Sequence, residues 1–248
     1  MDQHTSKNKQ DAPPKDPPKD TLLREMFYPT MIYYFDHPTA QDTNNRIKKN
    51  VDQWEKRDEE GIVRSNSLGW HSAVDMHNRN EYNPLTKELF KMQHEIYEAE
   101  GYHKNTEPVC DNMWANVNLK YSHNKNHVHP GAQWSGVYYI QTPKDCGHIW
   151  FTDPCGQRHI DMPIMEDKKE KPIHYWREVH YKPIEGRLIM FPGWLVHEVA
   201  PNMSNLKGEK HWRISVSFNF KQRWKPEMWK PRGGGHDSGG EMRLNQLK

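Results

Sequence analysis

The chain has 248 residues, with 35 Lys and Arg against 33 Asp and Glu and a net charge of +2 when His is neutral. That length suits one large β domain or two small ones, and the interspersed charges argue against a dedicated nucleic-acid binder, which carries a basic face. Three cysteines (Cys110, Cys146 and Cys155) with no CxxC argue against a disulfide framework or a structural zinc site, and no apolar run approaches the ~20 residues of a membrane span.

Residues 1–20 are rich in Lys, Asp and Pro and are too polar to bury a core, so they read as a disordered tail. They contain no apolar stretch of the kind a secretory signal needs, and the default location is the cytoplasm. One domain is expected over 21–224, helical to about residue 105 and β-rich from about 106. A Gly-rich C-terminal tail is expected over 225–248.

Phe27 to Phe35 reads as a strand. A helix is predicted over Ala40 to Lys56, where Ile47, Val51 and Trp54 fall at i, i+4 and i+7. A second is predicted over Pro84 to Glu100, with Pro84 in its first turn, Leu85, Leu89, Met92 and Ile96 as its stripe, and Gly101 as its stop. Short β runs follow: 112–120, 134–141, 147–153, 174–181, 186–191, 195–201 and 211–220. Their regular spacing indicates a sandwich, jelly roll or barrel. The segment from Cys155 to Pro183 interrupts the series, either as a substrate-binding loop or as a solvated hairpin.

His127-Val128-His129 closes a polar loop ahead of a strand. In extended chain, side chains at i and i+2 share a face, so both imidazoles can reach one metal ion. His197, in Trp194-Leu-Val-His-Glu-Val199, is a third candidate ligand. Three ligands on one side of an octahedral ion leave positions open for substrate and oxygen. With 16 histidines in the chain, an HxH pair also arises by chance, so the dyad alone does not decide.

Arg213, Ser215 and Ser217 share one face of the strand HWRISVSFNF, and Ile214, Val216 and Phe218 share the other. The polar face is either solvated or lines a pocket. In a pocket, a buried Arg213 needs an anionic partner, and a ligand carboxylate, with Ser215 beside it, would serve. One of Tyr138 and Tyr139 points inward, where its hydroxyl wants a partner.

Taken in order, these segments resemble the 2-oxoglutarate/Fe(II)-dependent dioxygenase superfamily: His127-Val-His129, Val137-Tyr-Tyr-Ile140, Gly186-Arg-Leu-Ile-Met-Phe-Pro192, His197-Glu-Val199 and Arg213-Ile-Ser215. The His-x-His-Pro and Ser-Gly-Val-Tyr-Tyr signatures, together with Ser65-Asn-Ser-Leu-Gly-Trp-His-Ser72, are similar to a bacteriophage-type branch of it. The resemblance spans roughly Phe27 to Phe220. It implies a double-stranded β-helix (a jelly roll, cupin-like) that is mainly β, with N-terminal α-helices packed on it.

It further implies that His127 and His197 bind Fe(II). Arg213 would anchor the distal carboxylate of 2-oxoglutarate, assisted by Tyr139 and Ser215, with Asn116 and Asn118 lining the same pocket. His129 departs from the family pattern by standing where a carboxylate ligand is usual. Either three histidines hold the metal, or another group such as Asp153 completes the set. The implied reaction hydroxylates a peptide residue, an amino acid or a metabolite and releases succinate and carbon dioxide. Two rivals stay open: a cupin-type metal enzyme without 2-oxoglutarate, in which Gln133 replaces the cupin glutamate, and a non-catalytic β-sandwich binding protein. Arg213 and Tyr139 separate the oxygenase from the cupin, which requires neither.

Overall fold

The computed structural model describes Leu22 and residues 27–37, 40–166, 170–228 and 242–244. The chain divides into two units, 1–30 and 31–248, and the account below concerns the second unless stated. The tail expected at 1–20 lies outside the described residues.

Two helices precede most of the sheet. α1 (Ala40–Glu55) buries Ile47, Val51 and Trp54, the predicted stripe. α2 (Asn83–Ala99) begins with Pro84 in its first turn and buries Leu85, Leu89 and Ile96. It stops where Gly101 takes a left-handed φ of 66°, and the Tyr102 amide donates back to the Tyr97 carbonyl at 2.9 Å. That pairing satisfies a carbonyl the helix would otherwise leave open.

Among the described residues, nine strands form one curled antiparallel sheet: β1 (Tyr33–Asp36), β2 (Asn66–His71), β3 (Thr106–His127), β4 (Trp134–Gln141), β5 (Ile149–Thr152), β6 (Glu178–Tyr181), β7 (Arg187–Pro192), β8 (His197–Val199) and β9 (Arg213–Trp224). The order along the sheet is β1-β7-β4-β9-β3-β8-β5-β6, with β2 alongside β3. β3 joins the two halves. Its first part pairs with β9 from Thr106 to Asn118. Tyr121 then turns the backbone with a φ of 69°, and the far end pairs with β8 at Asn124 and His127. This is the mainly β, jelly-roll architecture expected from the sequence.

Strict alternation sorts the residues of β3 and β9. Met113, Ala115 and Val117, with Ile214, Val216, Phe218 and Phe220, pack in the core shared with α1 and α2. Each of these side chains other than Ala115 contributes about 1.5–3 kcal/mol by leaving water. Phe90 of α2 meets Phe220 edge-on at 5.1 Å. A second, smaller core contains Val137, Tyr139, Ile149, Phe151, Ile189 and Phe191.

Several boundaries differ from the sequence reading, each for a local reason. The first strand begins at Tyr33 rather than Phe27. Before it, Tyr28 has a φ of 61°, and Pro29 has no N–H to give a ladder. β2 was not expected, because Ser, Asn and Gly dominate it and Leu68 has a φ of 58°. Ile173–Tyr175 and Gly208–His211 are single 3-10 turns, so β6 and β9 start later than 174 and 211. Within the region read as a C-terminal tail, Met242 forms an antiparallel bridge to Cys110. All three cysteines are free thiols, and among the described residues no helix is long and apolar enough to cross a membrane.

Candidate metal and carboxylate site

His127 and His197 are brought together by strand register, since they are direct partners across β3 and β8. Their ring centroids lie 4.3 Å apart. Two residues further on, beyond the end of β3, His129 is held by its amide donating to the Gly193 carbonyl at 2.8 Å. The ligand nitrogens of His127, His129 and His197 all lie within 4.8 Å of one another.

Two of these rings are oriented by backbone. His127 Nδ1 lies 2.6 Å from the Lys125 carbonyl, and His197 Nδ1 lies 2.8 Å from that of Leu195. A carbonyl can only accept, so each Nδ1 carries the proton and each Nε2 keeps its lone pair, the tautomer that metal binding requires. His129 Nε2 lies 3.3 Å from His197 Nε2. Burial lowers the pKa of His197 to about 3 and that of His129 to about 4, with His127 adding repulsion, and burial lowers His127 as well. The trio is therefore neutral at physiological pH. Imidazole nitrogens suit iron, and this donor set fits such an ion.

The same cavity, of about 480 Å³, is lined by all three histidines and by Arg213, Tyr139 and Ser215. Arg213 is 1% exposed. Its Nη1 donates to the carbonyls of Cys146 (2.5 Å), Gly147 (3.2 Å) and Ala200 (3.2 Å). Its Nη2 is buried without a hydrogen-bond partner among the described residues. A buried guanidinium with an unused N–H edge and no carboxylate beside it is costly, and a ligand carboxylate is the group that would relieve it. Gly147 makes the grip possible. At a φ of 88°, a Cβ there would sit 2.2 Å from the Ala200 carbonyl oxygen and 2.8 Å from Arg213 Nη1.

The remaining predicted residues fall in rows across the sheet. Asn116 on β3, Ser215 on β9 and Tyr139 on β4 are in register, and Asn118 is opposite Arg213. All of them line the cavity. Asn116 also donates to Ser217 Oγ at 3.1 Å. Tyr138 takes the opposite face, and its hydroxyl donates to Asn44 Oδ1 of α1 at 2.8 Å.

Two candidates from the sequence lie elsewhere. Asp153 accepts from His159 Nε2 at 2.7 Å, pairs with Arg158 at 3.3 Å and is outside the cavity. Gln133 donates to the Tyr102 hydroxyl at 3.1 Å and also lies outside it. Sequence reasoning missed a wall of the same cavity. His71 is stacked on Trp114 at 5.2 Å and 11°, and Trp114 lies 6.0 Å from His129. The alternation that singles out Asn116 and Asn118 on β3 also places Trp114 on that face. His71 left no periodic signal, because β2 reads as turn.

Residues 112–219, which hold the three histidines and Arg213, match the family described as "Putative 2OG-Fe(II) oxygenase". It is the family of Fe(II) and 2-oxoglutarate oxidoreductases that the order of motifs implied. Among solved structures, a Pseudomonas putida prolyl-4-hydroxylase is similar at a TM-score of 0.55 and 13% identity, covering 78% of this chain and 94% of its own. AviO1 from Streptomyces viridochromogenes is similar at a TM-score of 0.53 and 13% identity, covering 82% and 92%. HygX from Streptomyces hygroscopicus, solved with nickel, 2-oxoglutarate and hygromycin B bound, is similar at 0.51 and 8%, covering 77% and 82%. At these identities the likeness is one of fold. No curated protein sequence matches the chain.

Proposed function

We propose that His127, His129 and His197 hold Fe(II) and that Arg213 holds the distal carboxylate of 2-oxoglutarate, for hydroxylation of a peptide residue, an amino acid or a metabolite. The observation that carries this reading is Arg213, which is buried with an unpartnered Nη2 in the cavity that the three imidazoles also line. A cupin-type site gives no reason to bury an unpaired guanidinium there.

When bound, Fe(II) and 2-oxoglutarate supply an oxidative decarboxylation to succinate and carbon dioxide that drives oxidation of the substrate. The chain supplies the rest. The Lys125 and Leu195 carbonyls fix the tautomers of His127 and His197. The carbonyls of Cys146, Gly147 and Ala200 hold one edge of Arg213 and leave the other for a carboxylate. Tyr139, 2% exposed and with its pKa raised by burial, stays a neutral hydroxyl donor beside Arg213. Ser215 offers a second hydroxyl, and Asn116 and Asn118 offer amides. Phe151 and Phe191, packed against His197 at 6.0 and 4.6 Å, shield one side of the site from water.

A cytoplasmic location, a bacteriophage-type origin and a small-molecule or peptide partner rather than a nucleic acid complete the proposal. The test is oxygen-dependent succinate formation from 2-oxoglutarate by the Fe(II)-loaded protein, measured beside the Arg213→Gln variant. Succinate from the parent and its loss in the variant support the reading. Equal succinate from both would overturn it.

A further inference from the structure

The charge balance of the cavity bears on what enters it. None of the described residues that line the cavity is Asp or Glu. The three candidate ligands are neutral imidazoles, so no protein carboxylate offsets the metal. With Fe(II), Arg213 and the two carboxylates of 2-oxoglutarate all counted, one positive charge is left uncompensated. In low dielectric such an excess strongly favours an incoming anion.

A second cation stands at the mouth. Arg64 is exposed yet lines the cavity, and it has no ion-pair partner among the described residues. Its segment is anchored close to the trio. The Arg64 amide donates to Asn66 Oδ1 at 2.6 Å, and the next residue, Ser65, places its hydroxyl 3.5 Å from His127 Nε2. The same cavity is lined by the His71–Trp114 stack, a flat aromatic wall that continues to His129. Burial lowers the pKa of His71 and the charge of Arg64 pushes in the same direction, so His71 adds a neutral ring and no third charge. A cavity of about 480 Å³ is at the lower part of the small-molecule range, roughly 300–1,000 Å³. 2-Oxoglutarate takes part of it, leaving room for one residue or a small metabolite.

We infer that the substrate bears a carboxylate, which pairs with Arg64 at the mouth while the carbon to be oxidised lies along the Trp114 wall toward the three histidines. This rests on the Fe(II) and 2-oxoglutarate reading above and adds the chemical class of the substrate to it. The carboxylate comes either from a free amino acid or from the C-terminal residue of a peptide.

The test uses the full chain loaded with Fe(II) and 2-oxoglutarate without oxygen. The probes are the free amino acids, acetylated dipeptides ending in each of them, and the carboxamide of every member. Binding is followed as a change in the metal-to-ligand charge-transfer band, and turnover as substrate-dependent succinate after oxygen is admitted. The expected result is that acids bind at least about tenfold more tightly than their amides, with free acids and dipeptides distinguishing the two sources. Arg64→Gln should weaken the acids about tenfold, the factor a single charged contact of about 1.4 kcal/mol carries, and Arg64→Glu should weaken them further. Neither change should alter the amides.

The inference is overturned if amides match acids, if Arg64→Gln leaves the acids unchanged, or if no acid in the panel perturbs the band. Absence of the band in the parent protein is a separate outcome, which overturns the underlying reading of the histidines and Arg213 and this inference with it.

Discussion

Arg213 Nη1 donates to the Cys146 carbonyl at 2.5 Å, while Nη2 of the same guanidinium is buried with no partner among the described residues. One edge of the group is thus fixed by backbone and the other is unused. Arg213→Gln should leave metal binding intact and weaken 2-oxoglutarate by about 2–5 kcal/mol, the range for losing one partner of a buried charged pair. Calorimetric titration with 2-oxoglutarate in the presence of a redox-inert divalent metal measures this. Unchanged affinity would remove Arg213 from the cosubstrate site.

Gly147 positions that arginine. Gly147→Ala places a methyl 2.2 Å from the Ala200 carbonyl oxygen and 2.8 Å from Arg213 Nη1, at a φ of 88°. Backbone strain of this kind costs on the order of 1–3 kcal/mol. The expected outcome is a lower melting temperature together with a raised KM for 2-oxoglutarate, with metal affinity held. A variant that loses stability but keeps its KM would show that the loop moves without disturbing Arg213.

Tyr138 and Tyr139 are neighbours with opposite duties. Tyr138→Phe removes the 2.8 Å bond to Asn44 of α1 and should cost about 1 kcal/mol of stability without touching 2-oxoglutarate. Tyr139→Phe should weaken 2-oxoglutarate severalfold and leave stability near the parent's. Urea melts and cosubstrate titrations on the two variants read both axes. A reversed pattern would mean that the strand is out of register by one residue.

The histidines tie stability to pH. Burial holds His197 at about 3 and His129 at about 4, both below the ordinary 6.5. Below pH 6.5 the unfolded chain takes up protons that the folded state refuses, so this contribution is fully present above about pH 6.5 and is lost as pH falls toward 4. The urea midpoint of the metal-free protein should drop between pH 7 and pH 5. The drop should be smaller in a His129→Asn, His197→Asn double variant. Equal drops in the two proteins would place the destabilisation elsewhere.

His129 stands where the family pattern has a carboxylate. His129→Asp should retain Fe(II), since carboxylate and imidazole both suit this metal, whereas His197→Ala should abolish tight binding. Equilibrium dialysis against Fe(II) without oxygen decides between them. Parental affinity in His197→Ala would remove His197 from the ligand set.

Much of this was legible because two periodicities carry it. The i, i+4, i+7 stripe of Ile47, Val51 and Trp54 located α1, and alternation along β9 put Arg213 and Ser215 on one face and Ile214 and Val216 on the other. Strand register is not written locally. That His127 faces His197 depends on a β3 of 22 residues bent at Tyr121, and the sequence suggested only 112–120. The His71 wall was hidden for a related reason. β2 consists of turn-forming residues held in the sheet by β3, so tertiary pairing overrode local preference. Asp153 shows the converse. It was a plausible ligand by residue type, but the structure commits it to His159 and Arg158.

The most direct test of the central claim is an anaerobic titration of the Fe(II)-loaded protein with 2-oxoglutarate, followed by visible absorption. A metal-to-ligand charge-transfer band should grow to saturation in the parent, require far more 2-oxoglutarate in Arg213→Gln, and be absent in His197→Ala. Tight Fe(II) binding by the parent with no band at any 2-oxoglutarate concentration would contradict the account and point to a cupin-type metal site.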